Sequence, residues 1–344
     1  MSYETNTTVE ALARELRAAT RVLVTTHQKP DGDALGSVLA VVRACQAVGV
    51  AAEGWVVDPC EGNLRSFEAS SRVVHVHPRR PELPQGEFDL VVVVDTGAWT
   101  QLEVLAPWLR ERHARVIGLD HHARGDAVAA RRVVDVGCGS CTALLARLVE
   151  AMGVPLASGA DERGRGSIAE ALYMGLATDT GWFRFPNARA AEFALAARLL
   201  EAGVDKDAMY QQIEQSSRAE RVELQACALS SLEMVAGGRI ALMRLRAADF
   251  SATGAMLEET AGIVNIPMEI AAVRASVLAV EDTQAGVIKL SFRSKPADDS
   301  GTFIDVNELG SRFGGGGHIH AAGAKQQGTL DEVIARVRAA VGGG

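Results

Sequence analysis

THQKPDGDALGS, residues 26–37, places His27, Asp31 and Asp33 within seven positions, with Pro30 and Gly32 between them. Proline and glycine in that order make a turn, since one fixes φ and the other frees it. The turn follows RVLVTTH (21–27), an apolar run that reads as a strand. It precedes LGSVLAVVRACQAVG (35–49), which reads as a helix ending at a glycine. The acids and the histidine therefore occupy a loop between a strand and a helix.

Two further stretches repeat this pattern. FDLVVVVDTG (88–97) and ARVIGLDHH (114–122) each run from an apolar strand into polar residues. Strands alternating with helical segments imply a parallel sheet covered on both faces. SIAEALYMGLATDTGWFRF (167–185) reads as a helix entering a polar loop, and NARAAEFALAARLLEAGV (187–204) as another helix. From about Asp205 to Val235 the pattern is helical and charged. Strands return with GRIALMRL (238–245), SVLAVED (276–282) and GVIKLSFRS (286–294), giving a smaller α/β domain.

In an open parallel sheet, ligands gather at the carboxyl ends of the strands. His27, Asp31, Asp33, Asp95, Asp120, His121 and His122 all fall there, and Asp179 falls where a helix ends. So many carboxylates repel one another unless cations neutralise them. The oxygen and imidazole donors, without thiolate, suit Mn²⁺ or Mg²⁺, and the histidines tilt the choice to Mn²⁺. There are ligands enough for two ions sharing a carboxylate, as in two-metal hydrolysis of phosphate esters. One aspartate after a strand is often a helix cap, so Asp95 or Asp179 alone reads as readily as structural. HQKPDGD together with DHH, all at strand ends, does not reduce to caps.

The rest of the composition narrows the classes. A 344-residue chain with 48% hydrophobic and 23% charged residues is a globular protein of about two domains. A net charge of −8 argues against coating long DNA or RNA but permits a short anionic substrate. MSYETNTTVEALARELRAAT reads as a polar start and an amphipathic helix, without the blocks of a signal peptide, so a cytoplasmic location is expected. The five cysteines fit reduced thiols. Cys138 and Cys141 form CGSC, which reads as a helix start capped by Ser140 or Thr142 in preference to a redox pair.

The ordered set HQKPDGDALGS, VVVVDTG, GLDHH, LATDTGWFRF and FGGGGHIHAAGA (313–324) resembles the DHH-family phosphoesterases with a C-terminal DHH-associated domain. The likeness is greatest to their nanoRNase/pAp-phosphatase branch. It implies an α/β fold in which a parallel-sheet domain (1–205) carries the metals, a helical connector (206–236) follows, and a smaller α/β domain (237–341) binds substrate, with the active site in a cleft between the domains. It implies two Mn²⁺, with Mg²⁺ as substitute: His27 and Asp31 on one, Asp33, His121 and Asp179 on the other, and Asp95 bridging. Asp120 would orient the histidines, and His122 would face the substrate phosphate. Arg293, Gly315, Gly316, Gly317 and His318 would bind substrate, glycine letting backbone N–H groups approach an anion. His320 reads as incidental.

The activity implied is Mn²⁺-dependent hydrolysis of short oligoribonucleotides, including linear dinucleotides such as pGpG or pApA, to 5′-mononucleotides, with removal of the 3′-phosphate of pAp. No long nucleic acid or membrane is expected as a partner, and a homodimer is compatible. A manganese pyrophosphatase is disfavoured by the glycine run before His318. A RecJ-like single-strand exonuclease is disfavoured by the chain's length and acidity. A nucleotide-sensing regulatory protein is disfavoured by the complete ligand set.

Overall fold

The computed structural model describes residues 3–161, 165–282, 286–298 and 301–342, and for His318 only the backbone. The chain forms two units, Met1–Ser216 and Ser217–Gly344.

In the first unit, helix α1 (Val9–Ala18) leads to strand β1 (Arg21–Thr25), helix α2 (Gly32–Ala47), strand β2 (Ala51–Val57), the short helix α3 (Gly62–Arg65) and strand β3 (Val73–Val76). Strand β4 (Leu90–Val94), helix α4 (Ala106–Glu111), strand β5 (Val116–Asp120) and strand β6 (Arg131–Val134) complete a six-stranded sheet. Helices α5 (Cys141–Ala151), α6 (Ile168–Asp179), α7 (Ala190–Glu201) and α8 (Lys206–Glu214) follow. All strand pairs are parallel, in the order β3-β2-β1-β4-β5-β6. Every residue of β4 and β5 is buried, as expected for strands covered on both faces. The order reverses between β1 and β4, the switch point at which such sheets open a crevice.

The sequence brings α2 close to α6 through small residues. A Cβ on Gly36 would lie 2.5 Å from the Ala171 carbonyl oxygen, and one on Gly32 would lie 2.3 Å from Thr178 Oγ1. This crossing sets the N-terminus of α2, with Asp33, against the C-terminal half of α6, which ends at Asp179. Ser140 caps α5 by accepting from the Ala143 N–H, and the CGSC segment is thereby a helix start. Cys138 and Cys141 are free thiols.

The second unit holds helix α9 (Ala219–Ser230), strands β7 (Glu233–Val235) and β8 (Ile240–Leu245), helix α10 (Ala247–Thr253), strands β9 (Ala275–Glu281) and β10 (Val287–Ser294), helix α11 (Val306–Ser311), strands β11 (Gly316–His318) and β12 (Ala321–Gln327) and helix α12 (Leu330–Gly342). Its sheet runs β11-β12-β10-β9-β8-β7, with β8 and β9 parallel and the other neighbours antiparallel. The expected connector 206–236 is shared between the units. Met209 on α8 packs in the core of the first, while Leu224 and Ala228 on α9 pack in a core of the second. Among the described residues no helix is long and apolar enough to cross a membrane.

Candidate metal centre

The carboxyl ends of β1, β4 and β5 are adjacent in the sheet, and each delivers part of one cluster. Three groups have potential ligand atoms close enough for a metal ion: His27, Asp31 and Asp95; Asp33, His121 and Asp179; and Asp95, His121 and His122. Asp95 joins the first group to the third. Its backbone has φ +58°, a left-handed conformation that aspartate tolerates better than most residues. That bend at the end of β4 occurs in a residue only 3% exposed.

The tautomers follow from the acceptors. His27 Nδ1 lies 3.0 Å from the Gln28 carbonyl oxygen, and His121 Nδ1 lies 3.4 Å from that of Cys138. A carbonyl only accepts, so Nδ1 carries the proton and Nε2 presents its lone pair to the cluster. His27 Nε2 is 3.5 Å from Asp95 Oδ2 and 3.9 Å from Asp31 Oδ1. His121 Nε2 is 3.4 Å from Asp95 Oδ1, 3.8 Å from Asp33 Oδ2 and 3.9 Å from Asp179 Oδ2. Lone pairs facing carboxylates at these distances need a cation or a proton among them. Asp95 Oδ1 is buried and accepts no hydrogen bond. An orphaned buried carboxylate oxygen is costly, and a cation removes the cost. The donors fit a hard or borderline divalent ion.

The acidities give the same picture. Burial alone would lower the pKa of His27, but Asp95 and Asp31 raise it to about 9. Burial is likewise overcome at His121 by Asp95, Asp33 and Asp179, which raise it to about 10. Asp95 is pushed up by burial, yet His121 and His27 hold it below the ordinary carboxylate range. Burial, with Asp95 and Asp179 nearby, pushes Asp33 well up, and burial raises Asp179 to about 6. Metal-free, this cluster holds protons where its geometry suits cations.

Each candidate ligand has support behind it. Asp33 faces the N-terminus of α5, where its carboxylate accepts from the Cys141 N–H at 2.6 Å, the Thr142 N–H at 3.0 Å and Thr142 Oγ1 at 2.8 Å. A helix N-terminus favours an anion. Asp31 both joins the cluster and caps α2, accepting from the Ala34 N–H at 3.0 Å. Asp179 ends α6, where the helix dipole disfavours a carboxylate, so capping does not explain it. Asn187 Nδ2 donates to its carbonyl oxygen at 3.2 Å.

Asp120 lies behind the histidines. Its Oδ1 accepts from the His121 N–H at 2.8 Å, the His122 N–H at 3.2 Å and His122 Nδ1 at 2.7 Å. The hydrogen bond to Asp120 raises the His122 pKa. The His122 side chain is 48% exposed, the Asp120 side chain 2%. Tyr3, which no sequence pattern singles out, donates its hydroxyl to Asp120 Oδ2 at 2.5 Å. The Asp33 donors at Cys141 and Thr142 were equally hidden in a segment that reads as an ordinary capped helix.

Arg293, Gly315, Gly316 and Gly317 belong to the second unit. Register places Arg293 opposite Ala321, which is opposite His318 on the far side. The His318 side chain lies outside the described residues. Among the described residues no carboxylate pairs with Arg293, whose guanidinium donates to the Phe292 carbonyl oxygen at 2.9 Å; burial lowers its pKa. The glycines have a packing role. A Cβ on Gly315 would lie 2.1 Å from the Gly323 carbonyl oxygen, and one on Gly317 2.3 Å from that of Ala321. The Gly315 N–H donates to Gly310 O and the Gly317 N–H to Asn307 Oδ1, at 3.0 and 2.8 Å. His320 Nδ1 lies 2.9 Å from Ser294 Oγ, and its ring packs on Phe303.

Comparison with known proteins agrees with the motifs. Residues 21–176 match the family described as "DHH family, N-terminal domain", and residues 240–343 match the DHHA1 domain. The chain is 29% identical over 330 residues to the "Bifunctional oligoribonuclease and PAP phosphatase NrnA" of Thermus thermophilus, covering 93% of this chain and 89% of that protein. It is 24% identical over 319 residues to the Bacillus subtilis protein of that name, covering 91% of each. The crystal structure of an exopolyphosphatase-related protein from Bacteroides fragilis shares the fold, with a TM-score of 0.85, 24% identity, and coverage of 97% of this chain and 95% of that one.

Proposed function

Because the chain belongs to the DHH phosphoesterases, with a DHHA1 domain after the DHH domain, we propose that it is a Mn²⁺-dependent two-metal hydrolase of short oligoribonucleotides. Linear dinucleotides such as pGpG or pApA are among its substrates, 5′-mononucleotides are its products, and the 3′-phosphate of pAp is a second target. The observation that carries this reading is the pair of ligand groups on either side of buried Asp95. The names of the Thermus thermophilus and Bacillus subtilis relatives support the choice of substrate.

On this reading His27 and Asp31 would hold one ion, Asp33, His121 and Asp179 would hold the other, and Asp95 would serve both. Divalent cations held by these residues would lower the pKa of water and offset charge on the phosphoryl oxygens. The remaining work is done by side chains. The α5 N–H groups and Thr142 fix Asp33, and the Gln28 and Cys138 carbonyls fix the two imidazoles. Asp120 holds His122 by its Nδ1–H, leaving Nε2 of a half-exposed ring for a substrate phosphate. In the second unit, Arg293 lacks a carboxylate partner among the described residues and binds a terminal phosphate through its planar fork.

The test is one panel: 5′-phosphorylated di- to pentanucleotides, pAp, cyclic di-AMP and pyrophosphate, each with Mn²⁺ and with Mg²⁺. Fastest turnover of the dinucleotides, with pAp also cleaved, is expected. Hydrolysis of pyrophosphate faster than of every nucleotide would overturn the reading.

A further inference from the structure

Residues 3–6 lie along β6, the last strand of the sheet. Thr5 Oγ1 donates to the Val134 carbonyl and accepts from the Val134 N–H, both at 2.8 Å. The Asn6 N–H donates to the Arg132 carbonyl at 3.0 Å, Asn6 Nδ2 to that of Ala130 at 3.0 Å, and the Arg132 N–H to Asn6 Oδ1 at 2.7 Å. Satisfying an edge strand in this way fixes the segment in register. It also aims Tyr3 inward. The ring occupies a slot that exists because two residues lack side chains: a Cβ on Gly97 would lie 2.1 Å from the Tyr3 hydroxyl oxygen, and one on Gly125 2.7 Å from ring carbon Cζ. Gly97 closes the VVVVDTG motif and Gly125 follows the DHH motif. At the end of the slot the phenol meets Asp120 Oδ2 at 2.5 Å.

The two oxygens of Asp120 thus have separate tasks. Oδ1 takes the His121 N–H, the His122 N–H and His122 Nδ1. Oδ2 takes Tyr3 alone among the described hydrogen bonds. A carboxylate turns readily about its terminal torsion, which is broad and two-fold. The phenol anchors the second oxygen, and so opposes a turn of the carboxylate that would carry Oδ1 away from its three donors. We propose that Tyr3 is a positioning residue for the reaction: through Asp120 it fixes the His122 imidazole beside Asp95, whose Oδ1 lies 3.8 Å from His122 Nδ1. The proposal rests on the phosphoesterase reading for its kinetic consequences but not for its structural ones.

The variant Tyr3→Phe keeps the ring in the slot and removes only the hydroxyl. Removal of a partner that orients such a site costs about 10- to 100-fold in activity, so kcat on a 5′-phosphorylated dinucleotide should fall in that range. KM should stay within about twofold, since the contact is not to substrate. Mn²⁺ stoichiometry by titration calorimetry should be unchanged. In the Mg²⁺-loaded protein the His122 imidazole ¹⁵N and ¹H resonances should shift. In a His122→Ala background, Tyr3→Phe should add no further loss. Gly97→Ala, which fills the slot and displaces the phenol, should shift the same resonances by an independent route. Unshifted His122 resonances in Tyr3→Phe would overturn the proposal. So would an additive loss in the His122→Ala background, because Tyr3 would then act elsewhere. A wild-type protein without phosphoesterase turnover would instead sink the functional reading, and the resonances would still decide the role of Tyr3.

Discussion

Gly175 lies in the middle of α6, where it faces Asp33 and Thr142. A Cβ there would lie 2.4 Å from Thr142 Cγ2, 2.5 Å from Asp33 Oδ1 and 2.6 Å from Thr142 Oγ1. Gly175→Ala therefore tests whether the helix crossing positions the metal ligand. Alanine gains about 1 kcal/mol over glycine in helix propensity. Overpacking the buried crossing costs about 1–3 kcal/mol. The new methyl also wedges into the Thr142–Asp33 contact, and a hydrogen bond to a charged group is worth about 1.5–3 kcal/mol. The net expectation is a loss of about 1.5–5 kcal/mol, read from denaturant melts of the metal-free protein. Mn²⁺ titration should show one ion bound about 10- to 100-fold more weakly, because Asp33 has lost its support. Gly62→Ala is the control. It opens the short helix α3, nothing lies within 4 Å of its added Cβ, and its stability should match wild type or exceed it by up to about 1 kcal/mol. If Gly175→Ala melts at or above wild type and binds Mn²⁺ as wild type does, the crossing does not set the site.

His27 and His121 hold protons up to about pH 9 and 10 in the metal-free protein. Their raised pKa values stabilise the metal-free fold below about pH 6.5, and that contribution is lost as pH rises through 9 to 10. Metal must displace these protons, so at pH 7 calorimetry in buffers of different ionisation enthalpy should show proton release, and affinity should climb by up to about tenfold per pH unit per histidine towards pH 9; pH-independent binding would refute the assignment. Asp95→Asn keeps a residue that tolerates φ +58° while removing the shared charge, and kcat should fall more than about 100-fold, with a residual rate above about a tenth of wild type counting against a shared ligand. Arg293→Ala should leave Mn²⁺ binding intact and lower kcat/KM on 5′-phosphorylated dinucleotides by about 10- to 150-fold, while equal losses on a small artificial phosphodiester would remove Arg293 from phosphate binding.

The strands that carry the site were the legible ones. β1, β4 and β5 are buried along nearly their whole length, so they stand out as apolar runs, and the polar residues after them mark the strand ends. β3 and β6 are short and half-exposed at the sheet's edges, and neither produces a comparable run. The charged stretch after Asp205 reads as one connector because α8 and α9 each bury little, yet Met209 and Leu224 commit them to different cores. The glycine run before His318 suggests an anion loop on composition. The close approach of β11 to β12 already requires Gly315 and Gly317, and internal acceptors take both of their N–H groups. With the Gly315 and Gly317 N–H groups taken, Arg293 is the more direct test of the proposed phosphate contact.

What the sequence hides at the candidate metal centre is the layer that aims its side chains. A ligand aspartate leaves a trace because it interrupts an apolar run. A supporting donor leaves none: the phenol of Tyr3 is 117 residues from Asp120, and the Cys141 N–H is 108 from Asp33. Backbone donors carry no residue signature at all, and Thr142 and Tyr3 sit in segments whose local pattern is satisfied without them. Glycine is the one indirect sign. Gly97, Gly125 and Gly175 each stand where a methyl group would strike a supporting side chain. None occupies a φ that requires glycine, so turn chemistry does not account for them. A glycine beside a ligand motif, with no backbone reason to be glycine, marks where a second side chain from elsewhere in the chain must enter, and it is by these gaps that the support of Asp33 and Asp120 was recoverable in principle.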